Sequence, residues 1–314
     1  MTDRSSLFSA TDKSAVSKGI FQICLAMLII PAIDVCAKTL GRSFDPIQVT
    51  FFRFFMQICL LMPLVIYNRL WVIPPGTLAI QCMRGITLMI ATFCFFWAIQ
   101  HLPLAEAIAI FFVQPLILTG LSVLMLGETI RMRRIFAIIF GLIGAMMVLQ
   151  PSFVIFGWPA LLPLVSAVSM AFYMILTSRI SSVAHPFQMQ LVVGLVAVIV
   201  LGLIMILGHF AGIPGTDFLI PNTGHFKWII GMGIASTIGH IFIVFSTQNA
   251  PASVLAPFQY VEIVTAALFG YLFFNDMPAD TTFVGTFIII ASGVYLFHRE
   301  RVVAREMAKY QGWE

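Results

Sequence analysis

Long apolar runs separated by short polar segments fill almost the whole chain. A helix needs about 20 mainly apolar residues to cross a bilayer. Ten windows meet this condition, the fifth and tenth being short: roughly 19–40, 47–67, 77–99, 104–126, 134–150, 158–178, 187–208, 226–248, 253–274 and 280–298. Because the connections are short, apart from residues 209–225, no soluble domain fits between them. The pattern predicts an all-α integral membrane protein of ten transmembrane helices.

The composition supports this prediction, and the two ends of the chain are polar. The chain is 60% hydrophobic and only 10% charged, more apolar surface than a soluble domain can bury. Residues 1–18 are polar, and no small-residue cleavage site follows them, so we expect a cytoplasmic N-terminal segment before an uncleaved first span. Residues 299–314 form a basic tail, which we expect on the anionic cytoplasmic lipid face.

Lysines and arginines predict the orientation, because they accumulate on the cytoplasmic side of membrane proteins. With the N-terminus in the cytoplasm, thirteen of them fall on that side: Arg4, Lys13, Lys18, Arg69, Arg84, Arg131, Arg133, Arg134, Arg179, Arg299, Arg301, Arg305 and Lys309. Three fall opposite, namely Lys38, Arg42 and Lys227. Both termini are therefore predicted to be cytoplasmic.

The second half of the chain repeats the first. An offset of 148 residues places Gln100 over Gln248 and Pro103 over Pro251, and an offset of 140 places "FDPIQ" at Phe44 over "AHPFQ" at Ala184. We therefore predict two repeats of five spans, residues 19–151 and 157–298. An odd number of spans inverts the second repeat relative to the first. Inverted-topology repeats are typical of secondary transporters, whose substrate sites lie near the bilayer midplane between the repeats.

Several segments, taken together, resemble a known family. They are "TFFRFF" in the second span, "RG" opening the third, "LPLAEAIAIFFVQPLILTGLSVLMLGE" in the fourth and "GLIGAMMVLQP" in the fifth. With the 5+5 repeat they resemble the EamA type of the drug/metabolite transporter superfamily, over about residues 19–298. The resemblance implies a bacterial inner-membrane transporter of small organic solutes. The run from "RG" to "GE" is most similar to members assigned to S-adenosylmethionine or riboflavin.

Glu262 is the sharpest candidate for function. A charge at the bilayer centre costs about 2.5–3.5 kcal/mol on insertion scales, so such a residue indicates function by default. Apolar surroundings favour the neutral carboxyl, so Glu262 could carry a proton or, when ionised, receive a cationic substrate. Its repeat equivalent is Gln114, and Pro115 and Pro257 lie beside this pair. The alternative is a structural, hydrogen-bonded glutamic acid.

Other charged residues lie within or near the predicted spans. Asp34 and Lys38 are four residues apart in span one, which fits a binding role or a mutually neutralising pair equally well. Arg53 in span two is a permanent cation that needs a partner, and Asp34 or Glu106 could supply one. Arg53 could pair structurally or bind an anionic group of the substrate. Glu106, at the start of span four, is expected at a gate or rim.

The remaining candidates are polar or basic residues. His240 in span eight could relay protons or be a hydrogen-bonded packing residue. Gln259 and Tyr260 precede Glu262 and are expected as polar walls of a substrate site. Arg84, at the start of span three, is interpreted as a cytoplasmic anchor.

Rival functions lack support in the sequence. No nucleotide-binding, nucleophile or zinc-protease motif occurs, so we predict no enzyme activity and no cofactor or metal. A channel would require rings of like polar groups along a pore. We expect a secondary transporter of an amino-acid-, nucleoside- or vitamin-like metabolite working by alternating access, with an exporter of the same fold as the alternative. We expect the protein to bind this solute, together with protons or a counter-substrate, and to contact membrane lipids. We expect no nucleic-acid partner, and either a monomer or a homodimer. Substrate identity, direction and driving force are left open.

Overall fold

The computed structural model describes residues 10–126, 132–255, 258–259, 261–275, 280, 283–288 and 290–291. All regular secondary structure within these residues is helical. The first half holds α1 (Ala10–Ile29), α2 (Pro31–Leu40), α3 (Pro46–Tyr67), α4 (Leu78–His101), α5 (Leu104–Phe111), α6 (Gln114–Leu126) and α7 (Met132–Phe156). The second half holds a 3₁₀ turn (Trp158–Leu161), α8 (Leu162–Ile180), α9 (Pro186–Phe210), α10 (Thr223–Asn249), α11 (Ala252–Leu255) and α12 (Val261–Phe274).

The helices fit a membrane protein. In the described part of the chain, seven segments are long and apolar enough to cross a bilayer. They are Ala15–Leu40, Pro46–Tyr67, Leu78–His101, Leu104–Ser122, Trp158–Ile180, Pro186–Phe210 and Thr223–Asn249. Val261–Phe274 is a shorter apolar helix in the predicted ninth span. The basic tail lies outside the described residues, and only a few positions of the tenth span are described.

Two predicted spans consist of two helices each. Span one breaks after Ile29, and Pro31 opens α2. Span four breaks at Phe112 and Val113, and Pro115 occupies the first turn of α6. Proline fits the first helical turn because its missing N–H needs no partner there. Each break lies within a predicted span, as in the interrupted helices of transporters.

Helix packing follows a two-fold relation between the halves. Helix α1 packs on α10, and its equivalent α8 packs on α4, the equivalent of α10. Helices α3 and α9, which are equivalent to each other, pack together. In spans four and nine, α5 contacts α12 whereas α6 contacts α11. The first part of one span therefore meets the second part of the other. The two spans run antiparallel, as an inverted repeat requires.

Two equivalent glutamines make reciprocal contacts across the halves. Gln48, at the start of α3, donates from Nε2 to the Leu219 carbonyl oxygen at 2.6 Å, in the connection between α9 and α10. Gln188, at the start of α9, donates to the Val72 carbonyl oxygen at 2.5 Å, in the connection between α3 and α4. We call these opposite ends of the bundle the α9–α10 end and the α3–α4 end.

Two equivalent glycines allow α3, α4, α9 and α10 to approach closely. A Cβ atom on Gly85 would lie 2.7 Å from Cβ of Val196, and one on Gly233 would lie 2.4 Å from Cβ of Met56. Each glycine therefore faces a side chain of the opposite repeat that a larger residue would displace. Small residues at such crossings are the usual means of tight packing between membrane helices.

Candidate functional site

A cavity lined mostly by buried side chains lies between the two halves, about midway along the helices. Its volume is about 80 Å³. The lining side chains come from α1–α5, α8, α10, α12 and the turn before α12: Ile23, Met27, Ile30, Ile33, Asp34, Arg53, Leu88, Ala91, Thr92, Phe95, Phe96, Phe111, Ser166, Met170, Met174, His240, Ile243, Gln259 and Glu262. Most of the wall is apolar and aromatic, with a few charged groups, the usual composition of a small-molecule site.

Two carboxyl groups face this cavity. Asp34 lies in the first turn of α2 and Glu262 in the first turn of α12, and they are 5% and 7% exposed. The two groups are close enough to interact electrostatically. The positive end of each helix dipole stabilises a negative charge at this position. In the described part of the chain, the structure gives neither carboxyl a hydrogen-bond donor or an ion pair. Both therefore keep their acceptor capacity for a ligand or a proton.

Arg53 supplies the positive charge of the cavity. Its side chain is 1% exposed. Nη1 donates to Oγ1 of Thr92 at 2.5 Å, and Nη2 lies 3.0 Å from Nε2 of His240. Its Nε is buried without a hydrogen-bond partner in the described part. The predicted direct pairing with Asp34 or Glu106 is not seen there, because a hydroxyl and an imidazole hold the guanidinium instead.

The contacts of His240 fix its protonation. Its Nδ1 lies 3.0 Å from the Ser236 carbonyl oxygen, which can only accept a hydrogen bond. Nδ1 therefore carries a proton, and Nε2 must accept from Arg53, which is always a donor. His240 is neutral in this arrangement. It positions Arg53, which supports the packing interpretation of His240 over that of a proton relay.

The other predicted residues divide between cavity and helix contacts. Gln259 is buried and lines the cavity. Gln114 is also buried, but it does not line the cavity beside Glu262 as the repeat had indicated. Glu106 lies away from the cavity and accepts a hydrogen bond from Oγ of Ser152 on α7 at 2.7 Å. Tyr260 lies outside the described residues.

Asp34 and Lys38 contact different groups. Asp34 faces the cavity, whereas Nζ of Lys38 lies 4.9 Å from the centre of the Phe274 ring. A cation over an aromatic face is stabilised by the ring quadrupole. Asp34 therefore faces the cavity without forming an ion pair with Lys38, and it stays a candidate binding residue.

Sequence reasoning missed Thr92, Ser166 and the aromatic wall. Thr92 is the equivalent of His240 under the 148-residue offset, so the repeat could have revealed it. Ser166 donates to the Ala91 carbonyl oxygen at 2.7 Å and joins α8 to α4. Arg84, interpreted from the sequence as a cytoplasmic anchor, has a side chain that is 0% exposed inside the bundle.

Comparison with known proteins fits this arrangement. The model of the EamA-like transporter family matches residues 17–150 and again 157–297. A crystal structure of a protein 17% identical in sequence superposes with a TM-score of 0.65, covering 91% of this chain and 97% of that one. This likeness shows a shared fold.

Curated relatives are named as transporters of small molecules. The S-adenosylmethionine uptake transporter of Rickettsia conorii is 24% identical over 90% of this chain and 93% of its own length. That of Rickettsia bellii is 25% identical over 91% of this chain and 95% of its own. The pseudopaline exporter of Pseudomonas aeruginosa is 24% identical over 90% of this chain and 96% of its own length.

Proposed function

This chain belongs to the EamA-like transporter family, and we propose that it carries a small amphipathic metabolite with a cationic centre and a carboxylate across the bacterial inner membrane by alternating access. One observation carries this proposal. A cavity between the repeats presents two carboxyls that have no hydrogen-bond donor among the described residues and one guanidinium whose Nε–H has no acceptor among them, next to aromatic rings.

The charges define the chemistry of the cargo. Asp34 and Glu262 can receive an ammonium or sulfonium group, and Nε of Arg53 can donate to a carboxylate. The rings of Phe95, Phe96 and Phe111 can hold an aromatic or apolar portion. S-adenosylmethionine combines a sulfonium, an ammonium, a carboxylate and an adenine ring, and its uptake is named for the Rickettsia relatives. It is therefore our first candidate substrate.

The size of the cavity supports alternating access. Sites that bury drug-sized ligands have volumes of about 300–1,000 Å³. The cavity here, at about 80 Å³, is much smaller. Helices of the two repeats must therefore separate on one side to admit a metabolite. A proton on Glu262 or a counter-substrate would supply the driving force, and we propose no catalytic step.

Uptake and binding measurements test the substrate. We expect S-adenosylmethionine at a concentration 100 times its Kd to stabilise the purified chain by about 2.7 kcal/mol, which raises its Tm. Labelled S-adenosylmethionine should enter proteoliposomes, and unlabelled compound should compete. S-adenosylhomocysteine, which lacks the sulfonium charge, is the matched ligand and should bind more weakly. Equal stabilisation by both ligands, or by neither, would contradict the assignment.

Export is the second candidate, because a pseudopaline exporter is similar over nearly its whole length. The inverted repeat serves either direction, since direction follows from the gradients. Vesicles loaded with labelled substrate distinguish the two. An outward proton-driven flux without matching uptake would favour export.

We propose that both termini face the cytoplasm and that the chain lies in the bacterial inner membrane as a monomer or homodimer in contact with anionic lipid. The lysine and arginine asymmetry supports this, and it persists when buried Arg84 is left out. Reporter fusions at residues 130 and 314 should both read cytoplasmic, and those at 154 and 215 external. An external reading at residue 314 alone would break the inverted-repeat argument.

A further inference from the structure

Arg84 is a second buried cation, separate from the cavity. Its side chain is 0% exposed. Nε donates to Oγ1 of Thr177 at 2.9 Å, Nη1 contacts the Met189 carbonyl oxygen at 3.4 Å, and the guanidinium lies 5.2 Å from the Tyr173 ring centre. Nη2 is buried without a hydrogen-bond partner, and no carboxylate of the described residues forms an ion pair with Arg84. A buried permanent charge without an anion is unfavourable, so binding of an anion at Arg84 would be stabilising.

Three buried glutamines lie on the helices around Arg84 and its partners: Gln57 on α3, Gln81 on α4 and Gln190 on α9. Gln190 donates to the Tyr173 hydroxyl at 2.7 Å and to the His240 carbonyl oxygen at 3.2 Å, and Gln57 donates to the Gln190 carbonyl oxygen at 2.7 Å. Oε1 of Gln57 and Oε1 of Gln81 are buried without a donor in the described part. Unmet polar atoms of this kind are costly in a dry interior. They indicate a region that water or a ligand fills in another conformation. We call Gln57, Gln81, Arg84, Tyr173, Thr177 and Gln190 the polar layer.

The polar layer lies directly beside the cavity, toward the α3–α4 end. On α4, Arg84 precedes the cavity residue Leu88 by one turn, about 6 Å. On α3, Gln57 follows the cavity residue Arg53 by one turn. On α8, which packs on α4, Thr177 follows the cavity residue Met174. Three helices therefore place the layer between the cavity and the same end of the bundle.

The opposite side of the cavity is different. Toward the α9–α10 end, Phe96, Ile99, Phe44 and Phe52 belong to one continuous apolar cluster. Such a closure is stable when dry. The polar layer instead contains three buried polar atoms without hydrogen-bond partners among the described residues, Gln57 Oε1, Gln81 Oε1 and Arg84 Nη2. This contrast favours the α3–α4 end as the side on which buried polar groups line the passage of charged cargo.

We propose that Arg84 is an anion-binding subsite on the path between the cavity and the α3–α4 end, where it receives the carboxylate of an amino-acid-type substrate. The identity of the cargo rests on the proposed function, whereas the path and its preference for anions do not. The carboxylate contacts Arg84 on the path and Arg53 when the substrate lies in the cavity, where its cation pairs with the two acids.

Substrate analogues test the subsite. Loss of a hydrogen bond to a charged group lowers transition-state or ligand binding about 10- to 100-fold. We expect Arg84→Gln to reduce uptake of S-adenosylmethionine by this factor, but to change little the uptake of decarboxylated S-adenosylmethionine. Arg84→Lys should retain part of the carboxylate preference. Arg179→Gln, which removes an exposed arginine near the same end, is the control and should change neither. An equal loss for both analogues would assign Arg84 a structural role and overturn the proposal.

A thiol probe tests the path without any assumed substrate. In a chain whose 5 native cysteines are replaced by alanine, Gln57→Cys should react with an anionic methanethiosulfonate faster than with a cationic one, from the α3–α4 side only. Adding Arg84→Gln should remove this preference. If Gln57→Cys reacts from neither side, or shows no preference for the anion, the subsite is refuted. If S-adenosylmethionine is not transported by the unmodified chain, the proposed function fails and the labelling ratio still decides the subsite.

Discussion

Arg53→Gln is expected to abolish transport while the protein still inserts into the membrane. The substitution removes the positive charge that faces Asp34 and Glu262. It also removes the planar guanidinium that donates hydrogen bonds to both Thr92 and His240. Truncating one partner of a buried, hydrogen-bonded charge contact typically costs about 2–5 kcal/mol of binding free energy, which corresponds to about 30-fold or more in affinity. Uptake of labelled substrate in proteoliposomes, normalised to inserted protein, measures the loss.

Two further variants separate charge balance from substrate binding. Arg53→Lys keeps the charge but cannot contact Thr92 and His240 with one planar fork, so it should recover only part of the activity. The double variant Arg53→Gln with Asp34→Asn removes one charge of each sign. It should recover thermal stability in detergent without recovering transport. Unaltered uptake by Arg53→Gln would show that this arginine serves packing alone.

The sequence predicted much of the site because charge is rare in membrane helices. Placing a charged or ionisable side chain inside the bilayer costs free energy, and this cost alone singled out four residues: Asp34, Arg53, His240 and Glu262. The structure brings all four to one cavity. Gln259 followed from its position near Glu262. These predictions needed no knowledge of packing, since a charged group in a span must face the protein interior or water.

The structure corrected the predictions that depended on helix rotation. Span four is interrupted at Phe112 and Val113, and Gln114, which follows this break, does not line the cavity with its repeat equivalent Glu262. A hydropathy window cannot detect a two-residue break. Arg84 could not be assigned either. A charge near the end of a span contacts water or turns inward, and the contacts of Arg84 with Tyr173, Thr177 and Met189 show that it turns inward.

The pairing of helices between the two halves was more predictable from the sequence than the direction of individual side chains. The offsets of 140 and 148 residues place Gly85 on Gly233 and Gln48 on Gln188. In the structure each member makes the same contact with the opposite repeat. Spans four and nine pack together and run antiparallel. Repetition in the sequence therefore carried tertiary information that hydropathy alone does not contain.

Glu262→Gln is expected to fold and insert normally but to lose most transport of a cationic substrate, and to lose its dependence on pH. Glutamine keeps the size and hydrogen bonding of the side chain and removes the charge that can be neutralised by a proton. In the cavity, Glu262 is buried near Asp34 and accepts no hydrogen bond from the described residues, so its charge is balanced by cargo or by a proton. Loss of one charge-assisted contact should lower affinity for a cation about 10- to 100-fold.

Transport measured from pH 5 to 8 tests this role. The parent chain should vary across this range, because protonation of a buried carboxyl competes with binding of a cation. Glu262→Gln should give a flat profile at low activity, and Asp34→Asn should reduce activity while keeping a pH dependence from Glu262. Glu106→Gln is the matched control, because Glu106 lies away from the cavity and is bonded to Ser152. Its profile should equal that of the parent. If Glu262→Gln transports like the parent at every pH, Glu262 is a structural hydrogen-bonding group and the coupling role assigned to it is wrong.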